Sequence, residues 1–364
     1  MHLKSLQLYQ FKNHQETNLI FDKPVICFVG DNGVGKTNIL DSIHYLSLTK
    51  SYFNYVDAEN VKFDAKYFNI KGVFEKNNNN QIVECNYHIG KKKVVKIDSK
   101  KYTKFSDHIG KFPIIIISPT DTNLILENSD VRRKYLDSTI AMYNKNYLQV
   151  LIKYNKALKQ RNFLLKKYAE SGVYDNITLE LYENQIIKNG DILYEERKIF
   201  ISQFAPVFNK YYKEISNNNE DVSIDYYSQL HDSSLDELIY LNRNKDKQSK
   251  KTQSGIHKDD ILFKMNNYLI KKTGSQGQQK SFLISLKLAQ FDFIKQKVNF
   301  NPVLLLDDIF DKLDNKRIFK IINLINKNIF GQVFITDTNE ERSKKILDKA
   351  KISYKIYNVD NFSK

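Results

Sequence analysis

No run of about 18 consecutive apolar residues occurs in this 364-residue chain, which excludes a helix crossing a bilayer. The N-terminus, Met1-His2-Leu3-Lys4-Ser5-Leu6-Gln7-Leu8, alternates like a strand and lacks the apolar core of a signal peptide. Cysteine is scarce: Cys27 and Cys85 both sit in apolar, strand-like contexts, which excludes a disulfide framework and fits a reducing cytoplasm. Tryptophan is absent while Lys, Asn, Ile, Tyr and Phe are all abundant, a pattern of genome-wide compositional bias. There is no internal repeat. No second acidic cluster or added domain could carry nuclease chemistry; Asp259-Asp260 is the one spare acidic pair. Acidic residues are in deficit, 42 against 57 Lys and Arg, giving a net charge of +15. That balance points to a polyanionic partner, nucleic acid first, or to compositional drift alone.

What the chain does contain begins with Gly30-Asp31-Asn32-Gly33-Val34-Gly35-Lys36-Thr37, a complete G-x-x-x-x-G-K-[ST] phosphate loop. Val25–Val29 reads as the buried strand entering it. Asn38–Leu46, apolar at 39, 40, 43 and 46, reads as the helix leaving it. Glycines let backbone N–H groups wrap a triphosphate at a helix N-terminus, where the helix dipole favours negative charge. Lys36 is placed to reach the β- and γ-phosphates and Thr37 to ligate Mg²⁺. The residues from Gly30 to Asn38 form the candidate ATP-binding segment.

To about residue 120 the pattern is β-rich around one helix, with strands at 61–63, 68–74, 82–88 and 94–97 and a hairpin tip at 77–80. Lys111–Ile117 has the look of a fully buried central strand. From about Ser129 the period changes to 3.6. One long helix is expected over 132–167 and a second over 177–212, joined by the turn Ser171–Asp175, with Pro206 kinking or ending the second. The two would form an antiparallel pair. Residues 242–253, rich in lysine, read as a mobile loop. The expected fold is therefore α/β. Residues 1–125 and 246–364 supply the two halves of a nucleotide-binding head with a mixed sheet and helices, and 126–245 form a helical arm inserted between them.

Asn301-Pro302-Val303-Leu304-Leu305-Leu306-Asp307-Asp308 is a buried strand ending in two acids. Asp307 suits the Mg²⁺ shell opposite Thr37, and Asp308 suits positioning or deprotonating the attacking water. Gly274-Ser275-Gln276-Gly277-Gln278-Gln279-Lys280 opens a helix, again a setting for phosphate. Taken alone it is equally an ordinary capped helix start. Leu313-Asp314 follows the acidic strand.

That order of motifs resembles the ATPase heads of the ABC superfamily. Within it the chain is similar to the RecF family through segments spread over nearly its whole length. Among them are Phe11–His14, Gly30–Asp41, Ser118–Asp121, Arg132–Asp137, Leu158–Asn162, Gly255–Asp260, Gly274–Gln279, Leu304–Asp308 and Gly331–Thr336. The resemblance implies an ATP- and Mg²⁺-dependent head that forms a homodimer around nucleotide, with Ser275, Gln276 and Gly277 of one subunit facing the triphosphate on Lys36 of the other. It implies slow hydrolysis with Lys36 and Asp308 as the catalytic pair, and binding to duplex DNA at gaps or single-strand/double-strand junctions. It also implies partnership with RecR, and through it RecO, in loading RecA. The chain departs from the usual ABC pattern at several points. Asp308 stands where a glutamate is usual, and Thr336-Asp337-Thr338 where a histidine is. Ser118–Asp121 stands where a glutamine links head to arm, and Lys258 and Lys280 where arginine is expected. Two rivals remain: an ATPase subunit docked on a membrane transporter, and a structural ABC-type protein with negligible turnover.

For DNA, Lys91, Lys92 and Lys93 begin one basic cluster and Lys250 and Lys251 end another; either reads as a phosphate-neutralising patch or as a solvated face. Arg132 and Arg133 lie in the first turn of the arm, where the helix dipole disfavours cations, so they are expected to contact DNA or the partner head. No arrangement of exposed aromatics suitable for stacking single-stranded bases is recognisable in the sequence, so duplex backbone binding is the expectation.

Overall fold

A computed structural model describes residues 1–216, 220–312, 314–326 and 329–363. Leu313 lies outside the described residues. The first eight strands are β1 (His2–Phe11), β2 (His14–Ile20), β3 (Val25–Val29), β4 (Tyr67–Lys76), β5 (Asn79–His88), β6 (Val94–Ile97), β7 (Lys100–Lys101) and β8 (Ile114–Ile117). They are followed by β9 (Val222–Tyr227), β10 (Asp260–Met265), β11 (Tyr268–Leu269), β12 (Val303–Leu306), β13 (Val333–Asp337) and β14 (Tyr354–Asn358). Helices of ten residues or more are α1 (Lys36–Leu48), α2 (Ser129–Ala141), α3 (Lys145–Ser171), α4 (Asn176–Ser216), α5 (Leu235–Ser249), α6 (Gln276–Val298), α7 (Asn315–Asn326) and α8 (Glu340–Lys349).

The chain divides into two compact units. The first comprises Met1–Thr122, Lys210–Asn218 and Lys280–Lys364. It holds a six-stranded antiparallel sheet, β2-β1-β4-β5-β6-β7, and a five-stranded parallel sheet, β14-β3-β13-β12-β8. Asn77 and Asn78 close the β4–β5 hairpin with positive φ at both positions, the geometry a two-residue turn demands. One continuous core gathers Leu6, Leu8, Phe68 and Ile70 from the first sheet, Ile26, Phe28, Leu305 and Phe334 from the second, and Ile39, Leu40 and Ile43 from α1. Because α1 is wrapped by apolar neighbours, polar residues of it are buried too, and Asp41 and Ser42 find partners. Asp41 accepts from Ser51 Oγ, the Tyr52 backbone N–H and Lys12 Nζ, and Ser42 donates to the Ile39 carbonyl.

β8 corrects an expectation: it lies at the edge of the parallel sheet, paired only with β12. All four of its isoleucines are buried, so its faces are covered although it is not central. Apolar composition reports coverage of the faces, not position in strand order. The expected strand at 61–63 reduces to a single bridge, Phe11 to Val61.

The second unit comprises Asn123–Asn209 and Asn219–Gln279. Its second segment runs to Gln279 rather than ending near 245, because β10 pairs with β9 and β11 in a small antiparallel sheet of its own. The long helix expected from 132 is two, α2 and α3, broken at 142–144, where Asn144 caps α3 by accepting from the Tyr147 N–H. α3 and α4 are antiparallel: Arg161 meets Glu183, Tyr147 meets Arg197 and Asn144 meets Glu196. Gly172 ends α3 in the left-handed conformation. Pro206 does not end α4, which runs on to Ser216. A proline inside a helix costs about 3 kcal/mol, and burial of Phe200, Phe204, Phe208, Tyr211 and Tyr212 along one face offsets this at about 1.5–3 kcal/mol each. Residues 242–253 are not a loop. α5 extends to Ser249, Lys250 takes the left-handed cap, and Thr252 is buried.

Candidate nucleotide-binding site

β3 runs straight into the phosphate loop and α1 begins at Lys36. Gly35, at φ +111°, is the N-cap, and a Cβ there would lie 2.5 Å from the Asn13 side chain and 2.7 Å from His14 Nε2. Only glycine fits, both for its φ and for the closeness of the Phe11–His14 turn. That turn holds the loop. Asn13 Nδ2 donates to the Val34 carbonyl at 2.8 Å, His14 Nε2 meets the Gly35 carbonyl at 3.1 Å, and Asn38 Nδ2 donates to Asn13 Oδ1 at 2.8 Å. From the other end of the chain, Asp360 Oδ1 accepts from the Asp31 N–H at 3.2 Å. Asp31, Asn32 and Gly33 are exposed, so the loop's rim stays open.

Lys36 is 5% exposed, and its ammonium donates to the Gly30 and Asp31 carbonyls at 2.8 Å each. Thr37 Oγ1 donates to Asp307 Oδ1 at 2.8 Å across 270 positions of sequence. Asp307 ends β12 and also receives the Thr336 hydroxyl at 3.0 Å and Ser118 Oγ at 3.4 Å. It is 5% exposed and makes no ion pair among the described residues. Burial, with Asp308 adjacent adding negative charge, pushes its pKa up to about 6; the three hydroxyls oppose the rise.

Asp308 has φ +48°, uncommon for a residue with a side chain and characteristic of functional turns. Its N–H donates to Thr336 Oγ1 at 2.8 Å. Thr336 therefore braces both acids from the end of β13.

A buried carboxylate whose contacts are all hydroxyls, beside a threonine hydroxyl at a helix N-terminus, is a hard-oxygen donor set suited to Mg²⁺. Among the described residues no group of three or more His, Cys, Asp or Glu side chains is placed to hold a metal. A cation here would depend on substrate phosphate oxygens as well, as Mg²⁺ commonly does.

Ser118 and Asp121 are tied together: the Ser118 N–H donates to Asp121 Oδ2 at 2.8 Å. Asp121 pairs with Lys287 Nζ of α6 at 2.8 Å, both being almost fully buried, and accepts from the Tyr52 hydroxyl. In the second unit, Ser275 and Gln278 form a reciprocal cap at the start of α6. Ser275 Oγ accepts from the Gln278 N–H at 3.3 Å, and Gln278 Oε1 accepts from the Ser275 N–H at 2.7 Å. Ser275 and Gln276 remain exposed and Gly277 half-buried.

Two of the candidate DNA contacts are corrected. Lys93 is drawn inward: its ammonium pairs with Asp57 Oδ2 at 2.9 Å, donates to the Thr49 carbonyl at 2.6 Å and sits over the Tyr45 ring. Arg132 is buried in a bidentate pair with Asp260, at 2.7 and 2.9 Å. Its unfavourable place at a helix N-terminus is explained by an acid 128 positions away, not by DNA. Arg133 donates to the Asp259 carbonyl at 2.6 Å and to Ser129 Oγ at 2.6 Å. Lys91, Lys92, Lys250 and Lys251 are exposed. Sequence reasoning missed the bracing roles of Asn13, His14, Thr336 and Asp360. The first two sit in a segment already noted as family-like; Asp360 carries no local signal.

No helix of the described residues is long and apolar enough to cross a membrane. Residues 2–362 match the model of the RecF/RecN/SMC N terminal domain. The DNA replication and repair protein RecF of Flavobacterium johnsoniae is 46% identical over 359 residues, covering 99% of this chain and 100% of that protein. The protein of the same name from Bacteroides thetaiotaomicron is 42% identical over 361 residues, covering 99% and 97%. Among solved structures, that of the recombination mediator protein RecF-ATP in the RecFOR pathway matches with a TM-score of 0.87 at 31% identity, covering 93% of this chain and 92% of that one. The Smc head domain of Pyrococcus furiosus matches with a TM-score of 0.54 at 15% identity, covering 96% and 91%, a likeness of fold. With loop, acidic strand and full-length similarity all in agreement, the chain belongs to the RecF family of DNA replication and repair proteins.

Proposed function

We propose that this chain is an ATP-gated DNA clamp of recombinational repair. The observation that carries the reading is the Thr37–Asp307 contact, which joins the phosphate loop to the acidic strand as a shared cation site. In this reading the first unit is the ATPase head and the second its arm. Backbone N–H groups from Gly30 to Asn38 cradle the phosphates of ATP. Lys36 leaves the loop carbonyls for the β- and γ-phosphates, an exchange of neutral acceptors for charged ones. Thr37 and Asp307 would hold Mg²⁺, which would supply neutralisation of charge on the phosphate oxygens. Asp308, fixed by its left-handed backbone and by Thr336, orients the attacking water.

Ser275, Gln276 and Gly277 complete the site from a second copy of the chain, so ATP promotes a homodimer. Asp308 is one methylene shorter than a glutamate, which favours slow, DNA-stimulated turnover and hence a switch rather than a motor. The exposed lysines Lys91, Lys92, Lys250 and Lys251 neutralise duplex phosphates without reading sequence. The family relationship supports action at gapped DNA with RecR, and through it RecO, in placing RecA. Sedimentation velocity with a gapped duplex, under ATP, ADP or no nucleotide at two salt concentrations, tests this. A dimer on DNA only with ATP, weakened by salt, is the expected result; nucleotide-indifferent binding would overturn the gating.

A further inference from the structure

The last residues of the chain reach back to the phosphate loop. β14 and β3 run parallel and end together, with Asn358 registered opposite Val29, so the residues that follow β14 meet Gly30 and Asp31, which follow β3. Val359 is wholly buried in the core of the first unit, and Tyr357 and Phe362 pack against that core, their rings edge to face at 6.4 Å and 68°. The Asp360 N–H donates to Asn358 Oδ1 at 3.0 Å. Asp360 is therefore anchored on both sides in sequence, and its carboxylate lies against the loop. Oδ1 accepts from the Asp31 N–H at 3.2 Å. A Cβ on Gly30 would lie 3.0 Å from Oδ2, so the carboxylate rests where glycine has no side chain.

The N–H that Asp360 engages and a carbonyl that Lys36 engages belong to one peptide unit. Gly30 supplies its oxygen and Asp31 its N–H. Lys36 Nζ donates to the Gly30 carbonyl at 2.8 Å, and Asp360 accepts at the other end of the same peptide. A cation at the oxygen and an anion at the hydrogen polarise the peptide in the same sense, so each hydrogen bond strengthens the other. Lys36 is almost fully buried and makes no ion pair among the described residues; its acceptors are the Gly30 and Asp31 carbonyls. A buried ammonium with no acid beside it is costly. Asp360, half-buried, supplies the negative charge one peptide away.

A brace that only shaped the loop would need no charge, because a side-chain amide or hydroxyl oxygen also accepts from an N–H. A carboxylate works against the loop's task, since it sets a negative charge beside a seat for polyphosphate. The charge has a use if it acts on the lysine. We propose that Asp360 is a positioning residue for Lys36: through the Gly30–Asp31 peptide it holds the ammonium on the loop carbonyls and sets how readily Lys36 passes to the β- and γ-phosphates of ATP. The lysine stays on the loop until phosphate oxygens, themselves charged, displace the peptide. ATP affinity is thereby held below what the same loop would reach without the carboxylate. The inference rests on the nucleotide-binding reading above and adds a control to that same site, exerted from the far end of the chain.

The test titrates the full chain with ATP and Mg²⁺ by calorimetry. Asp360→Asn keeps an acceptor for the Asp31 N–H and removes the charge. It is expected to tighten ATP binding roughly three- to fivefold, the difference between a charge-assisted and a neutral hydrogen bond at a partly solvated group. The decisive background is Lys36→Met, which has no ammonium to hold. There Asp360→Asn should change the ATP dissociation constant by less than about twofold, so the two substitutions are coupled. Equal tightening in both backgrounds would mean that Asp360 acts by repelling the nucleotide. Unchanged or weaker ATP binding in Asp360→Asn would mean that it only braces the loop. Either result overturns the proposal while leaving the nucleotide reading standing. Should Asp360→Asn fail to fold, Asp360→Ser, which also keeps an acceptor without the charge, is judged by the same criteria. A wild type that takes up no ATP would remove the nucleotide reading, and the proposal with it.

Discussion

Two regions of this molecule bury charge, and they do so in opposite ways. In the second unit, Arg197 is 1% exposed and fully satisfied. It meets Asp137 at 2.8 Å, Asp259 at 2.9 Å, the Ile256 carbonyl at 2.7 Å and the Tyr147 hydroxyl at 3.0 Å. Arg161, wholly buried, is held by Glu183 and Asp246 at 2.7 Å each and by Thr252 at 2.8 Å. In the first unit, Asp307 is similarly buried but faces only hydroxyls. A charge surrounded by opposite charge holds a fold together. A charge buried beside mere hydroxyls is destabilising as it stands, and the energy is recovered when a cation arrives. The second unit's arginines lock the Gly255–Asp260 turn and the Thr252 segment against α3 and α4; Asp307 keeps a place for a ligand.

Breaking the satisfied network has the largest expected effect. Arg197→Met leaves Asp259 and Asp137 without their cation and should destabilise the second unit by about 3–5 kcal/mol, read as a lower urea midpoint. Replacing all three partners together with apolar residues of similar volume should cost far less. If the single substitution is silent, the network is not what holds the turn.

Next is the phosphate loop. Lys36→Met removes a charged donor from the nucleotide and should weaken ATP binding by about 1.5–3 kcal/mol, roughly ten- to hundredfold, without lowering the nucleotide-free melting temperature by a comparable amount. Calorimetric titration with ATP measures it, and an unaltered dissociation constant would remove Lys36 from the site.

Acid sharpens the contrast further. Burial lowers the pKa values of His44 and His257 to about 4. His257 Nε2 donates to the Thr252 carbonyl, so Nδ1 accepts from the Tyr154 hydroxyl, and the ring is neutral. The unfolded chain, with histidines near 6.5, takes up protons that the fold refuses between pH 6.5 and 4. Stability is therefore present above about pH 6.5 and lost on acidification through that window, by roughly 1–2 kcal/mol for His44 at about pH 5. Urea melts at about pH 7 and pH 5 give the difference, and His257→Gln should reduce it without abolishing it, because His44 and His108 remain. The smallest effect belongs to the surface. Lys91→Gln/Lys92→Gln should weaken DNA binding severalfold and reduce its salt slope by about 1 for each phosphate no longer neutralised, leaving ATP affinity unchanged.

How much of this was legible in the sequence follows from how local each signal is. The phosphate loop, its strand and its helix are contiguous, and the acidic strand is a short apolar run with a sharp end, so all could be read directly. Asp360 could not be tied to the loop, because its contact spans 329 positions. Lys93 and Arg132 looked like free cations because their acids lie 36 and 128 positions away. Pro206 and the lysine-rich 242–253 stretch obeyed local propensity on paper, but packing of the α4 aromatics and the Arg161–Asp246 pair overrode it.

The most direct test of the central claim compares wild type with Asp307→Asn by thermal unfolding, each with and without ATP and with and without Mg²⁺. Asp307 carries its burial cost once it is ionised, above about pH 6, so the variant should melt a few degrees higher than wild type in the absence of nucleotide at about pH 7.5. Wild type should then gain stability from ATP with Mg²⁺ well beyond that from ATP alone, and the variant should gain nothing extra from Mg²⁺. A variant that melts lower without nucleotide, yet is stabilised by Mg²⁺ and ATP as strongly as wild type, would contradict the account.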